Sequence, residues 1–160
     1  MKYVPSTQMI ADAKRREGSS LSVYADSKQL PTQGIGRHHD VRFGDPDIDD
    51  ATQERWLAED LQSAYAGAAS LFSLDQIDIV RREALIDLVF NMGIGTLSQF
   101  HAFVDAVNAC DWDSAAFHLL TNTKGHLTPY LVQVGVRAVD NALRICSGEI
   151  VPEFRLKETP

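Results

Sequence analysis

Apolar and polar positions in residues 1–44 form short, changing patterns. Residues 6–17 are typical of a helix that begins after Ser6 or Thr7 and ends at Gly18, because hydroxyl side chains cap helix N-termini and glycine suits the C-terminal backbone. Apolar residues then alternate with serines, which predicts a half-buried strand through Leu21 and Val23. A polar turn at 26–29 and a second strand at 30–35 complete a predicted β-hairpin.

From residue 45 onward the spacing of apolar positions becomes helical. Asp50, followed by Gln53, fits the pattern that opens a helix, and the apolar repeat continues as one long helix to residue 72. The same pattern at Ser73–Gln76 and at Thr96–Gln99 predicts two further helix starts. The helix after Ser73 has an apolar stripe too wide for a surface helix, so we expect it to be the buried centre of the C-terminal part.

Two more helix starts follow in the C-terminal third. Asp111 is expected to cap one helix, and Thr128, followed by a proline, is expected to start a last helix that ends at Gly148. The residues of this last helix expected to face inward are Leu131, Val132, Val136, Val139 and Leu143. No repeat of 20 to 50 residues is present.

The order of these elements predicts an α+β chain with one domain. We expect a small, partly β N-terminal lobe at about 13–55, a linking helix at about 50–72, an all-helical lobe at about 73–148 and a loose tail at 149–160. A chain of 160 residues is long enough to fold without disulfides or metal ions.

The net charge of −7 is distributed unevenly. Residues 1–44 hold seven basic and four acidic side chains, a net +3, whereas the rest holds eight basic and eighteen acidic ones, a net −10. A basic segment of this kind can attract an anionic polymer, although solvated surface charge without a role is an equally good interpretation for each residue. An acidic chain without a basic helix does not indicate a nucleic-acid partner.

No apolar run approaches the length of a spanning helix, and the N-terminus lacks the apolar centre of a secretory signal, so we expect no membrane insertion. The two cysteines, Cys110 and Cys146, stand in apolar helical stretches without metal-ligand spacing, which predicts buried, reduced thiols. His38 and His39 would point to opposite faces of a strand, so exposed loop residues are the better interpretation than metal ligands. We expect no metal and no cofactor.

The candidate chemistry lies in residues 16–37. Glu17 ends the first helix beside the negative end of its dipole, where an ionised carboxylate is disfavoured, and Asp26 stands at the end of the first strand. Thr32 is carried back toward Glu17 by the hairpin. One acid held protonated beside one acid held ionised is the arrangement that glycoside hydrolysis requires.

The spacing of these residues resembles the active-site motif of the phage-type lysozymes, the family of T4 lysozyme. The matching positions are Glu17-Gly18, Leu21, Tyr24-x-Asp26 and Thr32-x-Gly34-Ile35-Gly36. The segment 79–93 is similar to the family's buried central helix, and the similarity covers roughly residues 8–148. The resemblance implies a lysozyme-like α+β fold with two lobes and an N-acetylmuramidase that acts on peptidoglycan as a monomer.

The resemblance also implies the roles of seven residues. The implied catalytic residues are Glu17 as general acid, Asp26 as the carboxylate that positions or deprotonates water, and Thr32 as the residue that holds this water. The implied substrate-binding residues are Tyr24, Arg37, Asn91 and Arg137. Three positions depart from the family pattern. Histidine is frequent where Arg37 stands, glutamine is frequent where Asn91 stands, and Arg137 matches only if six extra residues are allowed.

A second interpretation is a lysozyme-like domain of a larger virion protein that binds peptidoglycan with little turnover. Intact Glu17, Asp26 and Thr32 favour the enzyme. Without an export signal, we expect the chain to stay in the host cytoplasm until it is released to the cell wall, or to be carried in a virion.

Overall fold

A computed structural model describes residues 3–150 and has the predicted α+β architecture. The helices are α1 (Thr7–Glu17), α2 (Asp50–Leu71), α3 (Ile79–Met92), α4 (Ile94–Leu97), α5 (His101–Asn108), α6 (Trp112–Leu120), α7 (Pro129–Val134) and α8 (Val136–Ser147), and the strands are β1 (Ser20–Ala25) and β2 (Pro31–Gly34). The expected tail falls largely on residues 151–160, outside the described residues. The chain divides into two compact units between Ser63 and Ala64, inside α2.

Helix α1 begins and ends where the sequence indicates. The Ser6 side chain accepts a hydrogen bond from the backbone N–H of Met9, and the N–H of Gly18 donates to the carbonyl of Lys14 at 3.1 Å. Gly18 has φ 73° and ψ −170°, a region that is essentially restricted to glycine. This backbone turns the chain directly into β1.

Strands β1 and β2 form a two-stranded antiparallel sheet in the first unit. Tyr24 pairs with Thr32 and Ala25 pairs with Pro31, and the register shifts between Ser20 and Tyr24. The buried amide of Gln33 donates from Nε2 to the carbonyl oxygens of Leu21 at 2.7 Å and Pro46 at 3.0 Å. The bond to Leu21 joins the two strands, and the bond to Pro46 fixes the hairpin to the loop that precedes α2.

Three helix starts differ from the predicted capping residues. Helix α2 is capped by Asp49, whose Oδ1 accepts from the N–H of Thr52 at 2.8 Å, one residue before the expected Asp50. Ser73 makes no capping bond and precedes only a 3-10 turn, whereas Asp78 caps α3 by accepting from Arg81. Thr96 lies inside α4, and α5 begins after Phe100 without a side-chain cap.

The second unit is built around α3 and α8. Residues 83–89 of α3 are all buried, which confirms the expected central helix, and α8 packs against α3, α6 and α7. Phe72 and Phe103 meet edge to face in the same core, with ring centroids 6.3 Å apart. Asp111 caps α6 and Thr128 caps α7, as predicted.

The expected last helix is in fact two helices. Gly135, with φ 52° and ψ −113°, ends α7 and precedes α8, so the apolar periodicity changes phase at this residue. Val132 is 73% exposed, and Val136 and Leu143 are also exposed, contrary to the prediction that they face inward. The residues that α8 buries are Ala138, Asn141, Ala142, Arg144 and Ile145.

The cysteines were also predicted wrongly, because both Cys110 and Cys146 are exposed. Cys110 follows α5 with φ 54°, and the Cys146 thiol donates to Asp113 Oδ1 at 3.1 Å. Within residues 3–150, no helix is long and apolar enough to cross a membrane.

Candidate functional site

Glu17 is the last residue of α1, and its side chain lies against a glycine of the turn that follows β2. A Cβ placed on Gly36 would be 3.2 Å from Glu17 Oε2, 3.4 Å from its Cβ and 3.6 Å from its Cγ. Gly36 has φ 76°, so a side chain here would be both strained and crowded. The glycine therefore lets the turn approach the carboxyl closely.

Asp26 stands where β1 ends and holds the hairpin loop closed. Its Oδ1 accepts hydrogen bonds from the backbone N–H groups of Lys28 and Leu30, each at 2.8 Å. Its own N–H donates to the carbonyl of Leu30 at 3.0 Å. Oδ2 accepts no hydrogen bond from the described residues, so one oxygen is anchored while the other can bind water.

The Tyr24 phenol lies within electrostatic range of the carboxyl groups of both Asp26 and Glu17. Burial, then the charge of Asp26, then the charge of Glu17 raise the pKa of the Tyr24 phenol above its usual value. Tyr24 remains 38% exposed. A partly exposed aromatic residue beside two acids suits contact with a sugar ring.

Thr32 lies opposite Tyr24 in the sheet and is buried, with 3% of its surface exposed. Its hydroxyl donates to the carbonyl of Leu30 at 3.2 Å. A hydroxyl that donates in this direction keeps its lone pairs for accepting a hydrogen bond from water. Four of the predicted site residues, Glu17, Tyr24, Asp26 and Thr32, thus come from the end of α1 and from the hairpin of the first unit.

Arg37 follows this turn, but its guanidinium is already bound by carboxylates. Nε and Nη2 donate to the two oxygens of Asp40, each at 2.8 Å, and Nη1 donates to Glu59 at 3.2 Å and to Asp60 at 3.4 Å. The hydrogen bond with Asp40 raises the pKa of Arg37 far above its usual range, against a smaller opposing effect of burial. Sequence reasoning did not find these partners.

Asn91 and Arg137 belong to the second unit. Asn91 is partly exposed in the last turn of α3. Arg137, in the first turn of α8, donates from Nε to Asp87 Oδ2 at 3.1 Å and from Nη2 to Oδ1 at 2.8 Å. Asn141 Nδ2 donates to the same Asp87 Oδ2 at 2.8 Å. An acid in the middle of the buried run 83–89 is the signal by which sequence reasoning could have found Asp87.

A separate hollow in the second unit lacks the chemistry for acid and base catalysis. It has a volume of about 290 Å³ and a mainly apolar lining that includes Phe100, Phe103 and Pro129, with the imidazoles of His101 and His118. No carboxylate lines it. Among residues 3–150, no three histidine, cysteine or acidic side chains form a metal-binding cluster, and His38 and His39 are exposed as expected.

Most of this chain matches a known protein family, and two known proteins are similar to it. The family model described as phage lysozyme matches residues 14–134. "Probable T4-type lysozyme 1" of Dictyostelium discoideum is 26% identical over 142 residues, which cover 72% of this chain and 84% of that protein. The pre-baseplate central spike protein Gp5 of Enterobacteria phage T4 is 27% identical over 139 residues, 69% of this chain but only 24% of that much longer protein.

Proposed function

Because this chain belongs to the phage lysozyme family of glycoside hydrolases, we propose that it cleaves the β-1,4 bond between N-acetylmuramic acid and N-acetylglucosamine in peptidoglycan. The observation that carries this proposal is the cluster in the first unit. Glu17 is the last residue of α1, Asp26 stands where β1 ends, and Tyr24 and Thr32 pair in the hairpin. Both carboxyl charges also raise the pKa of the Tyr24 phenol.

In this proposal Glu17 is the general acid that protonates the glycosidic oxygen. Asp26 positions or deprotonates the attacking water through the carboxylate oxygen that the hairpin loop does not use. Thr32 accepts a hydrogen bond from the same water, because its own proton is directed to the Leu30 carbonyl. Anchoring Asp26 Oδ1 through two backbone N–H groups limits rotation of the carboxylate, so the water would be held in one orientation.

Tyr24, Asn91 and Arg137 are proposed to bind the glycan. Tyr24 is exposed over 38% of its surface. Arg137 donates two hydrogen bonds to Asp87, and its charge suits the carboxylates that peptidoglycan carries on its peptides and muramic acid. We further propose that the chain works as a monomer without metal or cofactor.

The experiment that tests the hydrolase is a turbidity assay on bacteria with permeabilised outer membranes. The wild-type chain should clear the suspension, and Glu17→Gln should fold normally and lose about 10² to 10⁴ in rate, the usual contribution of general acid catalysis. Circular dichroism checks the fold, and Glu54→Gln, an exposed carboxylate on α2, is the matched control. More than a tenth of wild-type activity in Glu17→Gln would remove Glu17 from this role.

A second candidate function is peptidoglycan binding within a larger virion protein. The observation that favours it is the similarity to a spike protein of which this chain spans about a quarter. In that case the chain would sediment with purified cell walls but would not clear permeabilised cells. We propose that the chain is either in the host cytoplasm before its release to the wall or in a virion. Probing purified particles with an antibody separates these two locations.

A further inference from the structure

Arg37 is enclosed rather than open to a ligand. Its side chain is only 9% exposed and makes four hydrogen bonds to the carboxylates of Asp40, Glu59 and Asp60. Its guanidinium also lies 4.8 Å from the ring centroid of Trp56, a cation–π distance. Trp56, Glu59 and Asp60 all belong to the first half of α2.

This arrangement leaves little capacity for a sugar. Each of the three guanidinium nitrogens already donates to a carboxylate, which is a stronger acceptor than a hydroxyl or an amide. A glycan hydroxyl would have to replace one of these charge-assisted bonds. The bidentate pair with Asp40 at 2.8 Å is the geometry that holds a guanidinium most firmly.

Arg37 also closes the turn that follows β2. The backbone groups of Gln33 and Arg37 exchange two hydrogen bonds, at 2.9 and 3.1 Å, around residues 34–36. Ile35 within this turn is buried, and a Cβ on Gly34 would be 3.5 Å from the Trp56 ring. The turn therefore lies close to α2 at Gly34, and the Arg37 guanidinium ties its last residue to the same helix.

Gly36 in this turn lies close to the side chain of Glu17, the proposed general acid. Gly36 is the residue immediately before Arg37, and a Cβ placed on it would lie 3.2 Å from Oε2, 3.4 Å from Cβ and 3.6 Å from Cγ of Glu17. A shift of the turn would change this close approach to the carboxyl. The place of the Glu17 carboxyl thus depends on how firmly the turn is held.

We infer that Arg37 is a positioning residue: it ties the turn 33–37 to α2 and thereby fixes the carboxyl of Glu17, instead of binding substrate. The catalytic consequence rests on the proposed function, in which Glu17 is the general acid. The structural part, the link from Arg37 through Gly36 to Glu17, does not depend on hydrolysis.

The first test separates positioning from substrate binding. Arg37→Lys keeps the charge but loses the paired bonds to Asp40, and it should lower kcat on solubilised peptidoglycan strands about 10- to 100-fold, since misplacing a reacting group by about 1 Å costs about 10². KM should change less than twofold. Arg42→Ala, an exposed arginine on the same unit, should leave both constants unchanged. A raised KM with an unchanged kcat would make Arg37 a substrate ligand and overturn the inference.

The second test follows the coupling directly. Gly36→Ala pushes on Glu17 from the same turn, so its loss of kcat should combine with that of Arg37→Lys less than multiplicatively. The ¹³Cδ resonance of Glu17 should move in both variants and not in Arg42→Ala. An unmoved Glu17 resonance in Arg37→Lys refutes the inference. This spectrum is informative even for a chain without lytic activity, so failure of the proposed hydrolase is distinguishable from failure of the positioning role.

Discussion

Removal of the Asp87 carboxylate tests the buried polar cluster of the second unit. The side chain of Asp87 is 4% exposed and that of Arg137 is 10% exposed. Asp87→Ala deletes two charge-assisted hydrogen bonds to Arg137 and the acceptor of Asn141 Nδ2. Truncating one partner of a buried ion pair typically costs about 3 to 5 kcal/mol in the free energy of unfolding.

This loss would be a large part of the total stability of a typical domain, which is about 5 to 15 kcal/mol. For a chain of this size, about 2 to 4 °C of Tm is lost per kcal/mol, so Asp87→Ala should melt roughly 6 to 20 °C lower. Asp87→Asn keeps one acceptor oxygen without the charge and should lose less than Asp87→Ala. The spatial reason is that Asn141 can still donate to the remaining oxygen.

The assay is urea unfolding followed by circular dichroism and by tryptophan fluorescence, whose coincidence checks the two-state assumption. Asp105→Ala on α5 removes an exposed carboxylate and is the control, with an expected change within about 0.5 kcal/mol. A loss below about 1 kcal/mol in Asp87→Ala would show that the pair contributes little beyond the desolvation that it costs.

Two further predictions follow from pKa shifts. The hydrogen bond to Asp113, together with burial, raises the pKa of the Cys146 thiol, so Asp113→Asn should speed the modification of Cys146 by a thiolate-selective reagent at pH 8. The modification rate at Cys110 serves as the internal reference. An unchanged rate at Cys146 would contradict the assignment. The hydrogen bond from Arg37 lowers the pKa of Asp40, so this contribution to stability is present above the ordinary carboxyl pKa and is lost as pH falls through the lowered pKa. The difference in unfolding free energy between wild type and Asp40→Asn should therefore shrink from pH 6 to pH 3. A difference that grows over this range would show that the pKa shift has the opposite sign.

Local signals in the sequence determined much of the candidate site. The Ser6 cap, the end of α1 at Gly18 and the closed loop at Asp26 each depend on hydrogen bonds between residues at most four positions apart. Such bonds form wherever these residue types occur in this order, so the placement of Glu17 at a helix end and Asp26 at a strand end was readable. The caps at Asp111 and Thr128 were readable for the same reason.

Where several local signals competed, the sequence alone did not decide. Ser73 and Thr96 fit the capping pattern as well as Asp111 does, but only packing determines which possible start becomes a helix end. The break at Gly135 is the clearest case, because one glycine inside a helical pattern is normally tolerated. Val132 and Leu143, expected to face inward along one continuous helix, are both exposed.

Tertiary structure alone decided the partners of the charged residues. Arg37 meets Glu59 and Asp60 more than twenty positions away, and Arg137 meets Asp87 fifty positions away. A sequence supplies the charges but not the distances, and an arginine near a cluster of acids can equally bind a ligand or hold a turn. The physical reason is that a long side chain takes its role from whichever carboxylates the folded backbone brings within about 3 Å of it.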